Sequence, residues 1–290
     1  MDPKGKLISF GMGLLAALIM ISFNIFSPFT FFLAYFIPLI FFSVSLFYGI
    51  KGILISAGLS ALIMFTFYGI TISSEFIFIN ACPAIWLSLR STYFKMKYSL
   101  DKFLSEISIV GVFLYLFFSF FFVEKLTVFT NSFENIMNLN FSTAVDIPNQ
   151  IISLLPSIII ATWITILFIN LSIAKKISTK YKIQINNYNH KFSHIFLPKV
   201  LIYLFLTFLM MSILFTENYN TLYQSISVIL SIPITLQGLA STHSLFKKFS
   251  VNNFLTSIFY LIVIFIPFTL AIITAIGVLD HFYNFRKLKL

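Results

Sequence analysis

The chain has 290 residues, of which 59% are hydrophobic and only 10% charged, with a formal net charge of +10 and a mean hydropathy of +0.98. A water-soluble domain carries about 25% charged residues. This chain lacks the polar surface for one, which excludes a soluble enzyme, a disordered chain and a nucleic-acid-binding domain. Its one cysteine, Cys82, excludes an intramolecular disulfide and a Cys cluster for zinc or iron–sulfur.

Apolar runs near 20 residues long mark membrane spans. In chain order they fall at 7–26, 30–47, 52–70, 76–89, 103–123, 151–173, 195–215, 222–239 and 254–278. They are continuous, whereas a β-barrel shows alternating segments of about ten residues. The sequence therefore predicts an all-α fold, a polytopic transmembrane bundle of about eight or nine spans. The first run lacks a small-residue cleavage pattern and reads as a retained helix. The fourth is short and carries Asn80, Cys82 and Pro83, so a broken or tilted helix inside the bundle is expected. The ninth contains Pro267.

Charge placement gives an orientation. With the N-terminus cytoplasmic, fifteen Lys and Arg fall on the inner side, and the outer loops between spans hold only Lys125. That bias fits the positive-inside rule. Arg286, Lys287 and Lys289 break the pattern if all nine runs cross. The ninth is the better suspect, as a re-entrant or bent helix. Two basic loops, 90–102 and 174–194, face the cytoplasm, where anionic inner-leaflet lipids are the expected partner. In the outer loop 124–150, Phe129, Phe133, Ile136 and Met137 fall at helical spacing for a short amphipathic helix. With no repeat or linker, residues 1–290 read as a single integral membrane domain.

No apolar run carries a central carboxylate, Lys or Arg, the usual mark of proton relays and ion coupling. No paired carboxylates, phosphate loop or serine elbow appears. The chain is therefore expected to be no enzyme and to use no cofactor or metal. His190 and His194 are spaced four apart but lie among lysines without acidic ligands. Asn80, Trp86 and Gln237 form the candidate ligand cavity, on the pattern of apolar pockets with a few convergent polar groups. Each lone amide has an alternative role in holding helices together, and Trp86 has one in an interfacial belt. Gly13 and Ala17 form a small-xxx-small face, either for packing within the bundle or for docking a partner membrane protein.

Ala34-Tyr-Phe-Ile-Pro38 and Gly49-Ile-Lys-Gly52 near the start, with Gln237-Gly238-Leu239-Ala240, His243, Gly277-Val-Leu-Asp280 and Phe285-Arg286-Lys287 near the end, resemble the YybS-like family of uncharacterised bacterial multi-pass membrane proteins. The motif positions are Pro38, Gly238, His243, Asp280 and Arg286. The resemblance implies a likeness to the substrate-binding subunits of energy-coupling-factor transporters, here with extra helices, and more distantly to MreD. Those subunits carry no ATPase and dock on a separate membrane protein. Read physically, Asp280 has Arg286, Lys247 or Lys248 as its possible partner. The leading reading is a small-molecule-binding or transport-associated bundle. The alternatives are a cell-envelope interaction protein and a lipid-modifying enzyme using His243 or Asp280.

Overall fold

The computed structural model describes residues 1–26, 30–93, 99–122, 128–132, 149–181, 192–215 and 220–286, and among these it holds helices and no strand. The main elements are α1 (Pro3–Phe26), α2 (Ile37–Phe76), α3 (Cys82–Tyr93), α4 (Leu100–Phe121), α5 (Leu155–Lys180), α6 (Lys199–Leu214), α7 (Asn220–Lys248), α8 (Asn253–Phe265) and α9 (Phe268–Tyr283). Five helical runs are long and apolar enough to cross a membrane, or six if the bent pair α8 and α9 is one span. The centres of the two basic loops, at 94–98 and 182–191, lie outside the described residues, as do His190 and Phe133, Ile136 and Met137 of the expected outer helix. Residues 128–132 are helical.

Contacts gather into two compact units: Met1–Phe103 with Ile166–Asn189, and Leu104–Thr165 with His190–Leu290. In the first unit, one helical run covers Phe32–Thr92, 61 residues. Straight, it would extend roughly 90 Å, about three times a bilayer core. It is not straight. Gly49 (φ 64°) and Gly69 (φ 80°) leave the helical region, in conformations that only glycine adopts without strain. The Ser73 hydroxyl donates to the Ala61 carbonyl at 2.8 Å, twelve residues back, so the chain doubles over at Gly69. Ser45 donates to the Ala84 carbonyl at 3.1 Å, and the Phe41 and Phe76 rings meet edge-on at 6.1 Å. Residues 37–48 therefore run in the same direction as 70–84, with 50–68 opposed to both. On the other side, Ser9 lies against Gly52, and Gly13 against the Ser56 backbone, so α1 runs with 50–68.

The fourth run widens instead of breaking. Residues Ile77–Ala81 form one π-helical turn, in which the Cys82 N–H reaches the Ile77 carbonyl five residues back. Pro83 follows in the first turn of α3, where a missing N–H costs least.

In the second unit, α6 and α7 are antiparallel neighbours, with Phe215 beside Tyr223 at one end and Leu197 bonded to Gln237 at the other. Helix α8 folds back along the end of α7, through Phe246–Phe259 ring contact at 5.1 Å and a 3.0 Å bond between the Tyr260 hydroxyl and His243 Nδ1. The chain then bends by 112° between α8 and α9, with Pro267 at the start of α9. Helix α9 returns beside α7 in the direction of α7: Thr274 meets Thr235, and Asp280, further on, meets Gln237. The two backbones touch where Gly238 faces Ile273 and Gly277. A Cβ at either glycine would collide with a main-chain carbonyl.

Large apolar side chains line the exposed helix faces, including Phe67, Phe113, Phe265 and Phe268. Soluble monomers rarely expose contiguous apolar patches beyond a few hundred Å²; lipid tails are the solvent these faces suit.

Candidate functional site

The C-terminal motif residues assemble one buried polar junction in the second unit. Before α6 the chain is non-helical at 195–198, where it loses internal hydrogen bonding. Inside a bilayer such backbone must be satisfied by neighbouring protein. Gln237, fully buried on α7, accepts from the Leu197 N–H through Oε1 at 2.9 Å. Its Nε2 donates to the Gly277 carbonyl at 3.1 Å and to Asp280 Oδ2 at 3.5 Å.

Arg286 completes the junction. Its Nε donates to both Asp280 oxygens, at 3.3 and 3.1 Å. Nη2 reaches Asp280 Oδ2 at 2.6 Å and the Ile195 carbonyl at 2.7 Å, and Nη1 reaches the Ser193 carbonyl at 2.7 Å. The two side chains are 1% and 0% exposed. The planar guanidinium thus neutralises the carboxylate and caps the Ser193 carbonyl in the preceding 3-10 turn and the Ile195 carbonyl of the non-helical stretch, which a lysine's single ammonium cannot do at once. Of the partners open to Asp280, the structure selects Arg286.

Beside this junction, α6, α7 and α9 enclose an apolar groove of about 680 Å³. Phe205, Leu209, Val228, Ile232, Ala271 and Ala275 form much of its wall. Four hydroxyls face it, from Ser227, Ser231, Thr235 and Thr274. Ser227 and Ser231 donate to carbonyls of their own helix, at 2.9 and 2.7 Å. Thr235 and Thr274 lie 2.6 Å apart, each also within 2.8 Å of a carbonyl of its own helix, so one of the two donates to its helix and the other to its partner hydroxyl. The polar atoms of the wall are already engaged, so the groove presents itself to a ligand as hydrocarbon. Ser227, Ser231 and Thr235 recur every four residues, a stripe present in the sequence without an amide or indole to mark it.

The expected cavity residues are each held by their own neighbours. Asn80 is buried in the first unit, where its amide donates to the Phe76 carbonyl at 3.0 Å. Trp86 is 46% exposed, with the Arg90 guanidinium 5.5 Å from its ring centre. Six residues apart on nearly regular helix, these two stand on different faces. Gln237 belongs to the second unit, and none of the three lines the groove. Gly13 and Ala17 are buried, and Gly13 abuts Ser56, so this face is taken up by packing within the chain. Pro38 is buried in the first turn of α2, His243 is held by Tyr260, and Gly238 is the crossing point with α9. His281 stacks on Phe196, with ring centres 4.9 Å apart, and its Nδ1 has no hydrogen-bond partner among the described residues. Among the described residues no group of three His, Cys, Asp or Glu converges.

Several long apolar helices, lipid-suited outer faces and a buried ion pair that satisfies irregular backbone define a multi-pass helical membrane protein. The chain belongs to the predicted membrane protein family DUF2232, whose model matches residues 14–281. No curated protein and no solved structure matches it.

Proposed function

We propose that this is a bacterial inner-membrane protein that binds a small hydrophobic or amphipathic molecule, performs no reaction on it and has no ATPase of its own. The groove of about 680 Å³ between α6, α7 and α9 carries this reading, since ligand sites are concave, mostly apolar and about 300–1,000 Å³ in size. In the topology we favour, the N-terminus is cytoplasmic and eight crossings follow: α1, the three passes 37–48, 50–68 and 70–93, then α4, α5, α6 and α7. The bent pair α8–α9 is re-entrant and leaves both termini inside. The excess of Lys and Arg on that side supports this, as does Arg286 beside Ser193 and Ile195, the end of a basic loop.

A lipid-modifying enzyme is disfavoured because its acid/base candidates are engaged, Asp280 by Arg286 and Gln237 and His243 by Tyr260. Transport, in this reading, depends on a second membrane protein for energy, docked elsewhere than at Gly13 and Ala17. The basic loops 90–102 and 174–194 rest on anionic inner-leaflet lipid. The test is thermal unfolding of the purified protein against a panel of metabolites and lipids. A ligand at a hundred times its Kd adds about 2.7 kcal/mol of stability. Stabilisation lost in an Ala271→Trp variant, which fills the groove, supports the reading; a panel without any stabilising compound contradicts it.

A further inference from the structure

The groove has a chemical polarity along its length. On α9 its lining runs from Leu270 to Leu279, nine residue steps or about 14 Å. Two turns beyond Thr274, on the same helical face, stands His281, with its orphan Nδ1 and 8% exposure. On α6 the lining includes Phe205, Leu206 and Leu209. Two turns before Leu206, again on one face, stands Lys199, exposed in the first turn of α6 and near enough for its charge to reach His281. Lys199 has no ion-pair partner among the described residues. The neighbouring Asp280 carboxylate offers it nothing, because Arg286 already neutralises that charge.

A hydrocarbon slot whose α6 wall leads to an exposed lysine matches an amphiphile with an anionic head. We infer that the groove between α6, α7 and α9 holds an acyl chain of an anionic phospholipid whose headgroup phosphate is received by Lys199. The occupant is an apolar chain because every hydroxyl of the wall is already engaged within the protein. The head is anionic because the α6 wall leads to an ammonium with no ion-pair partner among the described residues. Lys199 extends its charged tip toward the interface, where phosphates lie, while its stem stays along the helix. This deepens the ligand-binding reading by naming the ligand class, and it rests on the groove being that protein's ligand site.

The experiment is native mass spectrometry of the full chain in mild detergent, titrated with phosphatidylglycerol or with phosphatidylcholine of the same acyl chains. The expected result is retention of phosphatidylglycerol at about fivefold lower concentration, the factor equivalent to one lysine near a membrane surface. Lys199→Gln, at an exposed position that spares the fold, should erase that preference. Ala271→Trp should displace both lipids, whereas Ile272→Trp, on the same helix but outside the groove, should displace neither. Equal retention of the two lipids by the unaltered protein overturns the inference, as does a preference untouched by Lys199→Gln. If a water-soluble metabolite stabilises the protein in a manner sensitive to Ala271→Trp while phosphatidylglycerol does not, the ligand-binding reading stands and this inference falls. If neither does, both fall.

Discussion

Arg286 and Asp280 carry the most concentrated chemistry in the chain. Removing one partner leaves an uncompensated buried charge, which costs about 3–5 kcal/mol. Arg286→Gln should therefore lower the unfolding temperature sharply, while adding Asp280→Asn should recover part of the loss because the stranded carboxylate is gone. Thermal unfolding of the two variants in detergent checks this; a double variant no better than the single would mean the carbonyl caps, not the charge, dominate. Glycines give a second contrast. At Gly238 and Gly277 a Cβ meets backbone, whereas at Gly58 it meets nothing within 4 Å. Gly238→Ala should cost about 1–3 kcal/mol through overpacking, and Gly58→Ala should be neutral or slightly stabilising. The Asp280–Arg286 pairing was legible in the sequence because the two lie six residues apart. The Ser193 and Ile195 carbonyls were not, lying 93 and 91 positions away, since no local pattern announces where a guanidinium's remaining donors go. Gln237 was legible as an intramembrane amide, and it serves main chain, as such amides commonly do.

Element boundaries follow glycines more closely than hydropathy. The apolar runs stop at 47 and 70, but the helix breaks themselves sit at Gly49 and Gly69. Hydropathy delays the fourth run to residue 76 because Ser73, Ser74 and Glu75 dilute it. The helix nonetheless starts directly after Gly69, since Ser73 and Ser74 donate to main-chain carbonyls and need no water. The π-turn before Pro83 has no spacing by which the sequence could announce it. Gly69 has open space around a would-be Cβ, so Gly69→Ala carries a purely conformational cost of about 1–3 kcal/mol. Thermal unfolding should show that drop, and Gly58→Ala serves as the helical control. An equal effect at both sites would deny Gly69 its role as the reversal point. The ninth run divides at Pro267 with a bend of 112°, the bent helix expected there from the proline and from the misfit between nine crossings and a basic tail.

At the scale of the whole molecule, membrane class was evident from composition alone, because 10% charged residues cannot solvate a chain of this length. The division into two compact units was not, since both use the same apolar vocabulary and no linker separates them. The groove escaped notice for a related reason: its wall is assembled from α6, α7 and α9, and its hydroxyls resemble ordinary helix-satisfied serines and threonines.

The direct measurement is the sidedness of the last hairpin, by accessibility of single cysteines introduced in a Cys82→Ala background. Positions 250 and 285 bracket α8 and α9, and both are exposed; position 130 reports the opposite face. With α8–α9 re-entrant, cysteines at 250 and 285 are both shielded from a membrane-impermeant maleimide in intact cells and react once the membrane is opened, whereas a cysteine at 130 reacts from outside. Labelling at 285 from outside, with 250 protected, would make the hairpin a full crossing and contradict the eight-crossing bundle.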